Sequence, residues 1–233
     1  MQIKDLWVDN RAHLLHLGDR TFSCDRDVEA VLPWHDQALL LSSDTDCLSL
    51  WDADGLLRLT RVGVYPQDAA HDGDAVYVCG GADSRLHILS LPGLHELNWV
   101  LLPGMTERIA LHSGVAYVLT LLTEPTVETA LLRVDPASGC WQELTRYAGL
   151  PGALLADDAG LWVAVSGQVQ RLRWPALQPE HVIDGFGLVR WILPQPAGVI
   201  AADPLEERAV FISDDSLPFP LPYDADVLYP LTR

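Results

Sequence analysis

Lysine is almost missing from this sequence: Lys4 is the only one among 15 basic residues, which face 32 aspartates and glutamates for a net charge of −17. No basic run occurs anywhere. Nucleic-acid binding takes its affinity from Lys and Arg releasing counterions from phosphates, so DNA, RNA and anionic membrane surfaces are not expected partners. A cationic protein or ligand suits such a field better, although acidity that serves solubility accounts for the same charge.

Cysteine is scarce too. Cys24, Cys47, Cys79 and Cys140 are scattered without a CxxC pair, which argues against a zinc site and against a disulfide scaffold. The opening residues, Met1 to Trp7, lack the apolar core and cleavage site of a signal peptide. No apolar run approaches the ~18 residues of a membrane helix. The expectation is a cytoplasmic protein with reduced thiols. Catalytic signatures are missing as well: there is no Gly-x-Ser-x-Gly, no Gly-x-Gly-x-x-Gly opening a helix and no P-loop. Long stretches of helical periodicity are absent, so residues 1–233 read as one domain.

What the chain does have is apolar material, 49% of its residues, with only 20% charged. That is enough to bury a core and too little charge for a disordered acidic chain. It also has a repeat, the first thing to look for in such a chain. Turns recur at Asp36-Gln37, Asp72-Gly73, Ser113-Gly114, Ala159-Gly160 and Ala197-Gly198, spaced by 36, 41, 46 and 38 residues. A short strand follows each, as in Leu39-Leu40-Leu41, Val76-Tyr77-Val78 and Leu161-Trp162-Val163. A second strand then alternates, with Leu48/Leu50, Leu86/Ile88, Leu132/Val134, Val169/Arg171 and Val210/Ile212 on one side. Period two marks a strand with one packed and one wetter face, and Arg171 fits that pattern worst. Further turns at Asp54-Gly55, Pro92-Gly93 and Ser138-Gly139 lead to a third strand, and a fourth runs up to the next turn. Four strands per period of about forty residues is the length of a propeller blade.

The segment from Ala75 to Leu89, and less closely Val115 to Pro136, resembles the repeat of YVTN-type and WD40-like propeller proteins. The Gly-His and Trp-Asp positions of true WD40 repeats are missing apart from a single Trp51-Asp52. The resemblance implies an all-β fold, one β-propeller of about six four-stranded blades, with five as the alternative. It brings no catalytic residues. Leu6-Trp7-Val8 matches a post-turn strand, so the first blade wants an inner strand from elsewhere, and Asp226 to Leu231 is the candidate that closes the ring.

Three groups of residues are candidates for a site. His35, His71 and His112 fall immediately before or within successive turns; neutral imidazole is the commonest metal ligand, so a divalent metal is conceivable there. The plainer account is a turn histidine inherited by each repeat, and no cofactor is otherwise expected. Acidic loops recur, as at Asp52-Ala53-Asp54-Gly55 and Asp157-Asp158; the Asp-x-Asp-Gly fragment resembles part of a calcium loop but lacks its further oxygens and terminal Glu, and Asp is an ordinary turn former. Trp34 and Trp191 end corresponding innermost strands, where indoles hold a ligand or partner or pack blade on blade. The functional expectation is a non-enzymatic scaffold that presents a protein- or ligand-interaction face. The alternative is an enzyme with an axial funnel site, a metal-assisted lactone hydrolase or a lyase.

Overall fold

A computed structural model describes residues 6–24, 27–204, 206–213 and 218–221. All of its elements are strands, and they form six antiparallel sheets. The first holds β1 (Leu6–Asp9), β2 (Leu14–Leu17) and β3 (Arg20–Ser23); the second holds β4 (Val28–Trp34), β5 (Gln37–Ser42), β6 (Cys47–Asp52) and β7 (Gly55–Arg61). In the third are β8 (Asp68–His71), β9 (Ala75–Cys79), β10 (Arg85–Ser90) and β11 (Glu96–Leu101). The fourth comprises β12 (Met105–His112), β13 (Val115–Leu122), β14 (Glu128–Asp135) and β15 (Cys140–Ala148). The fifth runs through β16 (Pro151–Ala156), β17 (Gly160–Val165), β18 (Gln168–Arg173) and β19 (Gln178–Ile183). The sixth has β20 (Trp191–Gln195), β21 (Gly198–Asp203), β22 (Arg208–Ile212) and β23 (Phe219–Leu221).

Each sheet is a meander, and the leading strands β4, β8, β12, β16 and β20 pack on one another in series around an axis. This is the six-bladed propeller, so the five-blade alternative is set aside. Among the described residues the first blade has three strands, and β1 leans on β4 as a second strand does elsewhere. The closing segment expected at Asp226 to Leu231 lies outside the described residues.

Five apolar cores lie between successive blades. One joins Leu39, Leu41, Leu48 and Leu50 of the second blade to Val76, Val78 and Leu89 of the third. Every interior blade is therefore covered on both faces, and β9 and β17 are buried at every position. This corrects the expectation of a wet face on the alternating strand. Leu48, Ser49 and Leu50 in β6, like Leu86, His87 and Ile88 in β10, are all buried. The outermost strands face solvent instead, as Leu57 and Leu59 of β7 do.

Polar residues of the buried parity need partners, because an unpaired buried polar group costs about 1–3 kcal/mol. His87 has Asp83 2.8 Å from Nε2 and Glu96 2.7 Å from Nδ1. Arg171, the poorest fit to the repeat, lies over the Trp162 ring at 5.1 Å and 3.9 Å from Asp157. No disulfide joins the four cysteines; Cys47 and Cys79 are buried and Cys140 is exposed. Among the described residues no helix is long and apolar enough to cross a membrane.

The acidic loops turn out to be backbone acceptors. Asp157 Oδ1 accepts from the amides of Ala159 and Gly160, and its Oδ2 accepts from Trp162 Nε1 at 2.8 Å. Asp72 repeats this with the amides of Asp74 and Ala75 and with the Tyr77 hydroxyl at 2.7 Å. An aspartate that opens the turn and an aromatic five residues later thus recur in two blades. Asp157→Ala would leave the buried Trp162 N–H without its acceptor and Arg171 without its carboxylate. A loss of about 2 kcal/mol is expected in urea unfolding, with Asp157→Asn losing less because it keeps an acceptor. Equal stability of Asp157→Ala and the parent would remove this role.

Candidate functional site

The inner strands carry their functional side chains at their N-terminal ends, and an irregularity there decides what reaches the axis. In β4, β12 and β16 three residues span what two cover on the neighbouring strand, between Val28 and Val31, Thr106 and Ile109, and Pro151 and Leu154. Such bulges re-aim side chains and cluster at functional positions. The first residue inside the bulge is Glu29 in the second blade, Glu107 in the fourth and Gly152 in the fifth. A Cβ on Gly152 would stand 2.4 Å from the Val189 carbonyl of the sixth blade, so a side chain is excluded there.

Arg108 follows Glu107 and is only 4% exposed. Its Nε donates to the Gly152 carbonyl at 2.6 Å and its Nη1 to the carbonyls of Glu107 at 2.6 Å and Gln67 at 3.5 Å. One guanidinium so bonds backbone from three consecutive blades. Asp68, also buried, accepts the amide of Ile109 across the interface of the third and fourth blades. Glu29 accepts from the Ser43 hydroxyl at 2.9 Å and stands 3.6 Å from Arg190.

Burial holds the Glu107 carboxyl above its ordinary range; Arg108 and Arg190 pull it back down and Glu29 pushes it further up. A carboxyl raised in the folded state stabilises the fold below its ordinary pKa, and that contribution is lost as pH rises through the folded value. Glu107→Gln is therefore expected to melt higher than the parent at neutral pH, with the gap closing below about pH 4.5, the ordinary value. A melting curve series from pH 4 to 8 checks this, and a variant that melts lower at pH 7 contradicts it.

Of these groups Glu29, Asp68, Arg108 and Arg190 line a cavity of about 230 Å³, while Glu107 and Gly152 are not among its lining residues. Blades one to four and six contribute to its wall: Trp7, Asp27, Glu29, Asp68, Arg108, Arg190 and Trp191 among others. The channel continues toward the C-terminal ends of the inner strands as an apolar cavity of about 210 Å³, lined by Leu32, Ala70, Ile109, Leu111 and Leu154 with His71 at its edge.

The two tryptophans singled out in the sequence are separated by the length of the channel. Trp191 begins β20 and lines the charged mouth, whereas Trp34 ends β4 and donates from Nε1 to the Gly73 carbonyl of the next blade at 2.9 Å. Trp34 is in a blade-to-blade joint. The histidines do not converge either. Trp34↔Gln37 and His112↔Val115 bracket two-residue loops, and the Asp72 amide bonded to the Ala75 carbonyl brackets the corresponding loop of the third blade. His71 thus precedes the bracket, His112 stands on it and His35 lies inside the loop. The three histidines so occupy three different positions relative to their turns, and a like place beside each turn in the sequence did not make an equivalent ring. His71 Nε2 donates to the Pro33 carbonyl at 2.7 Å, a carbonyl having no proton to give, and His112 stacks on Trp174 at 4.5 Å. No group of three or more His, Cys, Asp or Glu among the described residues is arranged to hold a metal ion.

Glu29, Asp27, Asp68, Glu107, Arg108 and Arg190 were not reached from the sequence. The trace left by Glu29, Glu107 and Arg108 is a charged residue interrupting an apolar inner strand, and it becomes meaningful once the bulge is known; Asp27 and Arg190 immediately precede β4 and β20.

No protein-family model matches the chain, and no curated protein matches it in sequence. Among solved structures the chain is similar to a catalytically inactive virginiamycin B lyase from Staphylococcus aureus, crystallised with quinupristin. The two share a TM-score of 0.73 over 96% of this chain and 85% of that one, at 11% sequence identity. What this likeness establishes is the propeller fold.

Proposed function

We propose that the protein is a binding propeller without a reaction of its own, holding a small ligand or a partner's protruding group in the cavity at the N-terminal ends of its inner strands. The observation that supports it is the division of labour in that cavity. Arg108 and Asp68 are committed to neighbouring backbone and make a rigid wall, while Trp191, Arg190 and Asp27 line the opening. A preformed concave site with a few convergent polar groups is the usual form of a ligand pocket. The test fills it: Ala30 lines the cavity, and Ala30→Trp, or Ala30→Leu if the larger ring prevents folding, should block entry. A cellular small-molecule extract should raise the melting temperature of the parent and not of the filled variant, with the ligand recovered unchanged by mass spectrometry. Equal responses from parent and variant would remove the cavity from the account.

A second reading, an enzyme working at the same end of the channel, is favoured by Glu107, the neighbour of the cavity-lining Arg108, whose raised pKa beside two guanidiniums suits acid–base chemistry. The lyase with a similar fold adds analogy only. Consumption of quinupristin, or of a lactone from the extract, that stops in Glu107→Gln would make this the function.

A further inference from the structure

The charges lining the cavity are not equally engaged. Arg108 and Asp68 are buried and held by backbone from other blades, and Glu29 is shared between Ser43 and Arg190. Arg190 is different. Its guanidinium has five donors, its side chain is 36% exposed, and its one ionic contact among the described residues is the loose approach to Glu29 at 3.6 Å. Asp27 is exposed and lines the same cavity from the second blade, with its carboxylate in no hydrogen bond or ion pair among the described residues. One under-used cation and one unused anion therefore line a single cavity, Arg190 just ahead of β20 in the sixth blade and Asp27 just ahead of β4 in the second, with no ion pair between them among the described residues. The indoles of Trp191 and of Trp7, which stacks on His16, line the same cavity.

We infer that this cavity takes a zwitterion, an apolar α-amino acid or a short peptide. Its carboxylate lies against Arg190, its ammonium against Asp27, and its side chain against the indoles. Guanidinium recognises carboxylate through paired donors, and an ammonium brings three donors to a carboxylate that now has none. A ligand with one charge satisfies only one of the two. The field of a −17 chain would by itself favour a simple amine; Arg190 is what shifts the preference to a ligand that also carries a carboxylate.

This inference rests on the cavity reading and names its ligand class. The probes are L-leucine and L-phenylalanine, isoamylamine and 4-methylpentanoate as single-charge analogues, and the dipeptide leucylglycine, each titrated calorimetrically into the full chain at 0.15 M salt. L-Leucine or leucylglycine is expected to bind about tenfold more tightly than either analogue, the loss expected for one charge-assisted bond. Arg190→Met should bring leucine down to the level of isoamylamine, and Asp27→Asn to that of 4-methylpentanoate. Each should leave the melting temperature within a degree or two, because both side chains sit at the rim. Preference for leucylglycine assigns the site to peptides, and preference for leucine assigns it to the free amino acid. Analogues that bind as tightly as the zwitterions, or variants that bind leucine unchanged, overturn the inference. If no zwitterion binds while Ala30→Trp still abolishes stabilisation by the cell extract, the ligand class falls and the cavity reading stands; loss of both results discards both.

Discussion

Replacing Arg108 with methionine is expected to cost about 3–5 kcal/mol, the penalty for removing one member of a buried charged network. For a chain of this length that is a fall in melting temperature of about 10 °C. The methionine fills most of the volume but leaves the carbonyls of Gly152 and Glu107 without their donor. It also leaves the Glu107 carboxylate buried with one guanidinium fewer. Lysine should recover little, because a single ammonium cannot reach backbone on two sides as a planar fork does. Adding Glu107→Gln to Arg108→Met should restore part of the loss, since the orphaned charge goes with it. A double-mutant cycle in urea measures that coupling. The result also bears on function: residues kept for chemistry commonly cost stability, so that replacing them stabilises. An Arg108→Met protein as stable as its parent would argue for the enzyme reading.

The second large effect is expected at the far end of the chain. Elsewhere in the ring an outermost strand is joined to the next inner strand by a short connection, from two residues (149–150) to seven (184–190). Asp226 to Leu231, outside the described residues, is the segment that the sequence offers as the inner strand of the first blade, four residues beyond the end of β23 at Leu221. The first sheet is the only one with three strands among the described residues, and β1 is its open inner edge. Deletion from Asp226 onward should therefore leave a strand edge and the apolar seam behind Leu6 and Val8 uncovered. Each large apolar truncation in a core costs about 2–5 kcal/mol, against a total stability of about 5–15 kcal/mol. The shortened protein should unfold or aggregate, while removal of Met1 to Lys4 should be tolerated. A soluble truncation with an unchanged melting temperature would show that the ring closes without this segment.

The propeller was legible in the sequence because its signals are local. Turns such as Asp72-Gly73 and Ser113-Gly114 and the strands after them follow from backbone preferences and short-range patterning, and their period counts the blades. Strand direction and order within a meander come with those turns, since a two-residue loop leaves no other way to pair. Burial did not. Whether Ser49 or His87 meets water depends on the neighbouring blade, about forty residues away in sequence, which covers the face that alternation alone would leave wet.

The site was the least legible part. The histidines at 35, 71 and 112 looked equivalent by spacing, but a shift of one position reverses a strand side chain, and only the pairing around each turn reveals the shift. Trp34 and Trp191 looked alike as strand ends, yet one ends its strand and the other begins it, so the whole channel separates them. By itself the sequence determined the architecture: an all-β repeat of about forty residues with its strand and turn chemistry, in about six copies. The tertiary structure alone decided which residues share the axis. Glu29, Asp68, Arg108 and Arg190 come from four different blades and meet only after the ring has formed, with bulges in β4 and β12 at Glu29 and Arg108. Local interactions set the shape of a blade, whereas a site on the axis is a contact between blades, written in no single stretch of the chain.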